Sequence, residues 1–290
     1  MSPLDTRRAT AGAGPVAGRA AARQGAAPDD YEVFCAGVAR LCPIDLRRYK
    51  RAQMERRIRT HAARSGVHGL DRYLEVLRSD RAELDAFLDR ITINVSSLWR
   101  SPDQWRRIAD DLVPRLLASS PRGARSIKVW SAGCSIGAEA YTAAAVIRDA
   151  AGPGVRVEVL GTDIDRRILE AARRGEFQRA MVGPAPQDAL RRHFEPTTDG
   201  WRASDALKRG VRFAEGDLLA GRVATAAHDL VLCRNTVIYF TPPDRDAVHA
   251  RLAESLRPGG FLVVGPTERV ASPAAIGLVG DGPFVYRREA

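Results

Sequence analysis

Three carboxylates stand where apolar runs of this sequence stop. Glu139 lies in "VWSAGCSIGAEAYT" (129–142), Asp163 in "LGTDID", and Asp217 in "AEGDLL". The first stretch passes from a β-like run through small residues into a helix that opens with Glu139. A glycine-rich turn between strand and helix ordinarily cradles phosphate, because free backbone N–H groups and the helix dipole attract anions. Here Gly133 and Gly137 give G-x-x-x-G, no Lys-Ser/Thr follows, and a carboxylate would repel the anion. The glycines therefore permit either a close ligand or tight strand–helix packing.

Asp163 narrows the choice. It follows the first glycine turn by about 25 residues, where a carboxylate can accept hydrogen bonds from both hydroxyls of a ribose. With Asp217 after a third run, the three acids point to a ligand with a ribose, an adenine-like base and positive charge, and little or no phosphate. S-adenosylmethionine fits: its sulfonium and amino groups are cationic and its ribose carries no phosphate. NAD and ATP fit less well. Taken singly, each acid reads as a helix N-cap or a solvated loop residue.

Short runs "IKVWS", "RVEVLGT", "VRFAEG", "DLVLC" and "FLVVG" alternate with helical segments, and several are continuously apolar, as when both faces of a sheet are covered. This predicts a doubly wound α/β domain, mostly parallel, with ligands beyond the carboxyl ends of its strands. "FVYRR" after Gly280-Asp281-Gly282 predicts a terminal antiparallel hairpin. A helix is expected near Gln104 to Ala118. Before it, residues 29–100 read as a small all-α domain: Leu46, Tyr49, Met54, Ile58 and Ala62 recur at helical spacing behind a cap at Asp45, with two further amphipathic segments following. Residues 1–28, rich in Ala, Gly, Pro and Arg, are expected to be disordered.

The 290-residue chain carries a net charge of +10. Eight of its basic residues fall between Leu46 and Arg64 against the single acid Glu55, one helix-sized basic block. The block contains one aromatic residue, Tyr49, which weighs against nucleic acid. Four scattered cysteines and five histidines offer no metal-ligand spacing, so no metal is expected. No apolar run is long enough to span a bilayer and no secretory signal is evident, so the reading is of a cytoplasmic protein without membrane insertion.

Five motifs in order resemble the CheR-type chemotaxis receptor methyltransferases, which methylate glutamate side chains of receptor cytoplasmic domains. "IDLRRYKRAQMERRIRTHAARSG" is similar to the family's basic helix, and "TINVSSLWR" to its Asn-x-Thr-x-Phe-Phe-Arg junction. "VWSAGCSIGAEAYT" resembles its glycine turn, and "TDIDRRILEAARRGEF" and "LVLCRNTVIYF" match two later segments. The resemblance implies a class I, Rossmann-like S-adenosylmethionine-dependent methyltransferase domain over 101–290, with a small β-hairpin subdomain at about 191–213.

It also implies site roles. Asn94, Ser96 and Arg100 border the cofactor, as do Ala132 and Gly133. Glu139 meets its amino end, Asp163 its ribose, and Asp217 with Leu218 its adenine. Arg234 and Asn235 line it from the fourth strand. Arg100 orients the acceptor carboxylate and Tyr239 donates a hydrogen bond to it, leaving S-adenosylhomocysteine as product. Arg47, Arg48, Arg51, Arg56, Arg57 and Arg59 form a docking surface for an acidic helical receptor bundle. The protein is expected to act as a monomer.

The sequence departs from the family pattern in places. Ser96 replaces a Thr, Ala138 and Ala140 replace an acid or Gln and a Pro, Ser101 stands where an acid is common, and "GPTE" replaces Gly-His-Ser-Glu. The hairpin region is shorter than in members that dock on a receptor's C-terminal pentapeptide, which predicts no such tether. The rival readings are a related O-methyltransferase acting on another protein or a small acid, and a non-catalytic S-adenosylmethionine-binding adaptor.

Overall fold

A computed structural model describes residues 29–92, 96–119, 126–183, 185–221 and 223–289. The disordered tail expected over 1–28 lies outside these residues, as does Asn94. The α/β half is a seven-stranded sheet in the order β6-β2-β1-β7-β8-β10-β9. Its strands are β1 (Ser126–Ala132), β2 (Arg156–Asp163), β6 (Val211–Glu215), β7 (His228–Cys233), β8 (Leu256–Val264), β9 (Leu278–Gly280) and β10 (Val285–Arg288). The first five run parallel, and β10 pairs antiparallel with both β8 and β9. All six apolar runs read from the sequence are strands of this sheet.

Alternation along β1 explains why the run is continuously apolar. Ile127 and Val129 face a core shared with the helix Ala138–Ala151, whereas Trp130 and Ala132 face a second core under the helix Pro242–Ser255. Chain order runs outward from β1 to β2 and β6, then returns to β7 on the other side. The crevice between the carboxyl ends of β1 and β7 is therefore a topological switch point, where ligands of such folds bind.

The expected helix near Gln104 begins at Pro102 and continues to Ala118, with a π-helical segment at Ile108–Leu112. Pro114 lacks an N–H and its ring crowds the carbonyl four residues earlier, which accounts for the widened turn just before it.

The expected hairpin at 191–213 is placed differently. Strands β4 (Phe194–Thr197) and β5 (Gly200–Ala203) form it, β3 (Glu176–Gln178) adds a third strand, and 211–213 belongs to β6 of the main sheet. Only Thr198 and Asp199 lie between β4 and β5.

The N-terminal bundle comprises Asp30–Val38, Arg51–Arg64, Leu70–Ser79 and Arg81–Ile91 around Phe34, Tyr73 and Phe87. The single helix expected from Leu46 to Ala62 is broken. Asp45 caps a one-turn 3-10 helix, Leu46–Arg48, and Tyr49 is extended at φ −102°, ψ 155°. Tertiary contact overrides the periodicity. Tyr49 forms a β-bridge with Phe240, Lys50 N–H donates to the Tyr239 carbonyl at 2.9 Å, and Thr241 N–H donates to the Arg48 carbonyl at 2.9 Å. This clasp joins the bundle to the loop after β7.

His249, on the Pro242–Ser255 helix, is 1% exposed, and neither ring nitrogen has a hydrogen-bond partner among the described residues. Burial, reinforced by Arg245, pushes its imidazole from 6.5 down to about 4. The unfolded chain binds this proton first, so stability is lost as pH falls from about 6.5 towards 4. Relative to pH 8, His249 should cost about 2 kcal/mol at pH 5. Urea titrations at pH 8 and pH 5 should show His249→Leu losing less stability than wild type by that amount; equal losses would exclude the assignment.

Candidate functional site

A cavity opens at the switch point, and residues from both halves of the molecule line it. Its floor is the turn after β1. Gly133 and Cys134 N–H groups both donate to the Thr162 carbonyl at 2.9 Å, fixing the turn to the end of β2. Ser135 adopts φ 49° and its N–H donates to Asp163 Oδ2 at 2.8 Å. Asp163 Oδ1 accepts from Asp165 N–H at 3.1 Å, so this carboxylate shapes the floor as well as facing the cavity.

The glycines are explained by packing. A β carbon at Gly133 would lie 2.7 Å from the Thr236 side chain, and one at Gly137 would lie 2.8 Å from Phe213. At Gly137, the neighbour that requires glycine is the protein itself rather than a ligand.

Glu139, in the first turn of the following helix, accepts from Ser131 Oγ at 2.7 Å and lies 3.5 Å from Arg234 Nη1. Burial raises its pKa although Arg234 and Ser131 oppose the shift. Burial likewise raises that of Asp163 against its amide hydrogen bonds. Burial thus disfavours the charge on both carboxylates, which a cationic ligand would favour and a phosphate would oppose. Asp217 holds Leu219 N–H at 2.7 Å and lines the cavity beside Leu218. The donor set fits S-adenosylmethionine.

Arg234 lines the cavity but its guanidinium is already engaged. It donates from Nε to Gln104 Oε1 at 2.8 Å and from Nη2 to the Arg100 carbonyl at 2.5 Å, and it lies 4.9 Å from the Trp105 ring centroid. Arg100 is flanked by Trp99 at φ 53° and Ser101 at φ 60°, two left-handed residues of the kind that gather at functional sites. The Arg100 side chain is exposed at the cavity, with Ser96 and Tyr239.

Of the residues expected at the site, Ser96, Arg100, Gly133, Glu139, Asp163, Asp217, Leu218, Arg234, Asn235 and Tyr239 come together around this one cavity. Ala132 does not: it is fully buried in the core under the Pro242–Ser255 helix, because strand alternation turns it away from the site.

The docking arginines also divide. Arg48, expected on a docking surface, is drawn into the clasp, 2.7 Å from Asp244 and 3.2 Å from the Leu219 carbonyl. Arg47 pairs with Asp45, while Arg51 and Arg59 share Glu55 and reach Asp29 and Asp30 respectively. Arg57 lies 5.8 Å from the Tyr239 ring centroid, and burial lowers its pKa.

Sequence reasoning missed the roof. Tyr49, Ile91 and Thr92 of the bundle and Thr236 and Phe240 of the other half line the same cavity. Burial, with the carboxylates of Asp217 and Asp163, pushes the Tyr49 phenol above its ordinary range, which places it beside the two acids. The only sequence signal was one aromatic residue within a basic block.

Comparisons with known proteins agree with this geometry. Residues 94–278 match the CheR methyltransferase SAM-binding domain, and residues 29–92 match the CheR methyltransferase all-alpha domain. A chemotaxis protein methyltransferase of Listeria monocytogenes is 34% identical over 257 residues, covering 89% of this chain and 96% of that protein. Chemotaxis protein methyltransferase 1 of Pseudomonas aeruginosa is 26% identical, covering 84% and 91%. A probable biofilm formation methyltransferase, WspC, of the same organism is 30% identical, covering 75% of this chain and 51% of that protein.

Calorimetric titration with S-adenosylmethionine tests the floor and roof. Asp163→Asn should weaken binding by about tenfold or more through a lost charge-assisted hydrogen bond. Tyr49→Ala should weaken it by a comparable factor, about tenfold, through lost apolar burial, and Tyr49→Phe by less. Wild-type affinity in both Asp163→Asn and Tyr49→Ala would show that the ligand lies elsewhere.

Proposed function

The chain belongs to the CheR methyltransferase family and is an S-adenosylmethionine-dependent methyltransferase, and on that premise we propose that it methylates glutamate carboxylates on the acidic cytoplasmic helices of chemoreceptors. The observation that carries this reading is the position of Arg100 and Tyr239. Both sit at one cavity with the three carboxylates suited to the cofactor, and the Arg57 guanidinium of the basic helix lies over the Tyr239 ring.

The chemistry asks little of the protein. A glutamate acceptor is already ionised at neutral pH, and a sulfonium is an intrinsically good methyl donor. Arg100 would orient one acceptor oxygen and Tyr239 would donate a hydrogen bond to the other, leaving a lone pair for the methyl group that bound S-adenosylmethionine supplies. Asp163 would hold the ribose, Glu139 the amino group, and Asp217 with Leu218 the adenine. Catalysis is then alignment and partial desolvation, with reacting atoms about 3 to 3.5 Å apart.

Arg56 and Arg57, with the outward edges of Arg47, Arg51 and Arg59, receive the acidic helices of the acceptor. The two-residue turn between β4 and β5 supports engagement without a receptor's C-terminal pentapeptide tether. We place this activity in the cytoplasm and assign it to a monomer. Among the described residues, no helix is long and apolar enough to cross a membrane, and no group of three or more His, Cys, Asp or Glu residues could hold a metal ion.

Incubation with labelled S-adenosylmethionine and a receptor cytoplasmic fragment should transfer label that mild base releases as methanol. Cofactor binding without transfer to any receptor-like helix would instead favour the adaptor reading. Arg100→Ala should lower kcat by about a hundredfold or more, as expected for loss of a positioned charge, and change cofactor affinity by less than about threefold. A variant with wild-type kcat would remove Arg100 from its role. Titration of a receptor-tail pentapeptide should give no binding heat, and measurable affinity would refute the absence of a tether.

A further inference from the structure

Glu268 lies in the loop after β8 and does not line the cavity, yet it is only 4% exposed. Its Oε2 accepts from Gly265 N–H at 2.6 Å and from Asn235 N–H at 2.8 Å. Burial raises its pKa, a shift that the amides around it oppose, and its field reaches Glu139 and Arg234. Asn235, which does line the cavity, stands at φ 60°, in the left-handed region that asparagine adopts more readily than other non-glycine residues. A β carbon on Gly265 would lie 2.5 Å from Glu268 Oε2 and 3.0 Å from Asn235 N. Glycine at that position therefore lets the carboxylate meet the turn.

We propose that Glu268 is a positioning residue for the cofactor: by accepting the Asn235 amide of the turn after β7 and the Gly265 amide after β8 on one buried oxygen, it holds Asn235 in its left-handed conformation. It thereby sets the wall that Asn235 and Thr236 present to the cofactor. The short helix Val237–Tyr239 starts from the same turn, so Glu268 also sets where Tyr239 begins. Without the carboxylate, buried N–H groups lose their acceptor and the turn must move to find others. The inference rests on the placement of the cofactor against Asn235 proposed above.

The test is calorimetric binding of S-adenosylmethionine and S-adenosylhomocysteine, with melting temperature, on wild type, Glu268→Ala, Glu268→Gln and Gly265→Ala. Glu268→Ala should bind both ligands about tenfold more weakly or worse. Glu268→Gln keeps an oxygen for the amides and should stay within about threefold of wild type. Gly265→Ala, which displaces the carboxylate without removing it, should lose affinity by about fivefold.

A residue that only stabilised the fold would lower the melting temperature and leave the folded protein's affinity unchanged. That outcome, or a Gln variant as weak as the Ala variant, overturns the proposal. If Glu268→Ala does not fold, Gly265→Ala decides: reduced affinity supports the role and wild-type affinity rejects it. These comparisons use cofactor binding alone, so they stand apart from whether the acceptor is a receptor glutamate. Failure of the wild-type protein to bind either ligand would overturn the cofactor placement and this inference with it.

Discussion

A guanidinium that leaves water must have its charge and its donors met, and the architecture of the site follows from how this is done for Arg234. Its side chain is 3% exposed. Glu139 supplies the charge, Gln104 and the Arg100 carbonyl take donors, and Trp105 covers a face. These four come from three places in the chain: the helix after β1, the helix that begins at Pro102, and the junction before it. One buried cation thus fixes three segments relative to the end of β7. Arg100 is held through its own carbonyl, and the residue lines the cavity. The left-handed residues on either side of it are the local cost of that arrangement.

The bundle is part of the site rather than an appendage to it. Through Arg48, Tyr49 and Lys50 it grips the loop that carries Tyr239 and Phe240, with backbone pairing, an ion pair to Asp244, and Lys50 Nζ on the Ile238 carbonyl at 2.7 Å. Arg167 makes a second fastening on the opposite flank, joining Asp85 and Asp89 of the bundle to the helix after β2. Between these fastenings, Tyr49 comes to stand beside Asp163 and Asp217.

What the sequence disclosed divides along a physical line. Strands were legible because a sheet covered on both faces demands continuous apolar runs. The acids were legible because a strand that stops at a ligand leaves its polar residue at the boundary. Tyr49, Thr236 and Phe240 were not, since their place depends on contacts between segments almost two hundred residues apart. The same distance effect broke the expected helix at Tyr49 and drew Arg48 into its pair with Asp244. Ala132 shows the opposite limit, where neighbours in sequence point to opposite faces of a sheet. The small sheet was only half legible: the hairpin followed from the family resemblance, while β3 is three residues long and pairs with β5 alone.

The clasp also limits how far the two halves can be treated as interchangeable parts. Exchanging the bundle for that of a relative, with the aim of redirecting the enzyme to another acceptor, would carry away the tyrosine that lines the cavity and the backbone partners of the Tyr239 loop. A working chimera would therefore have to keep the Arg48–Lys50 segment in register with Tyr239–Thr241 and graft only the outward face of the Arg51–Arg64 helix. On the docking proposed above, retargeting becomes a matter of resurfacing one helix, because the domain beneath it also lines the cavity.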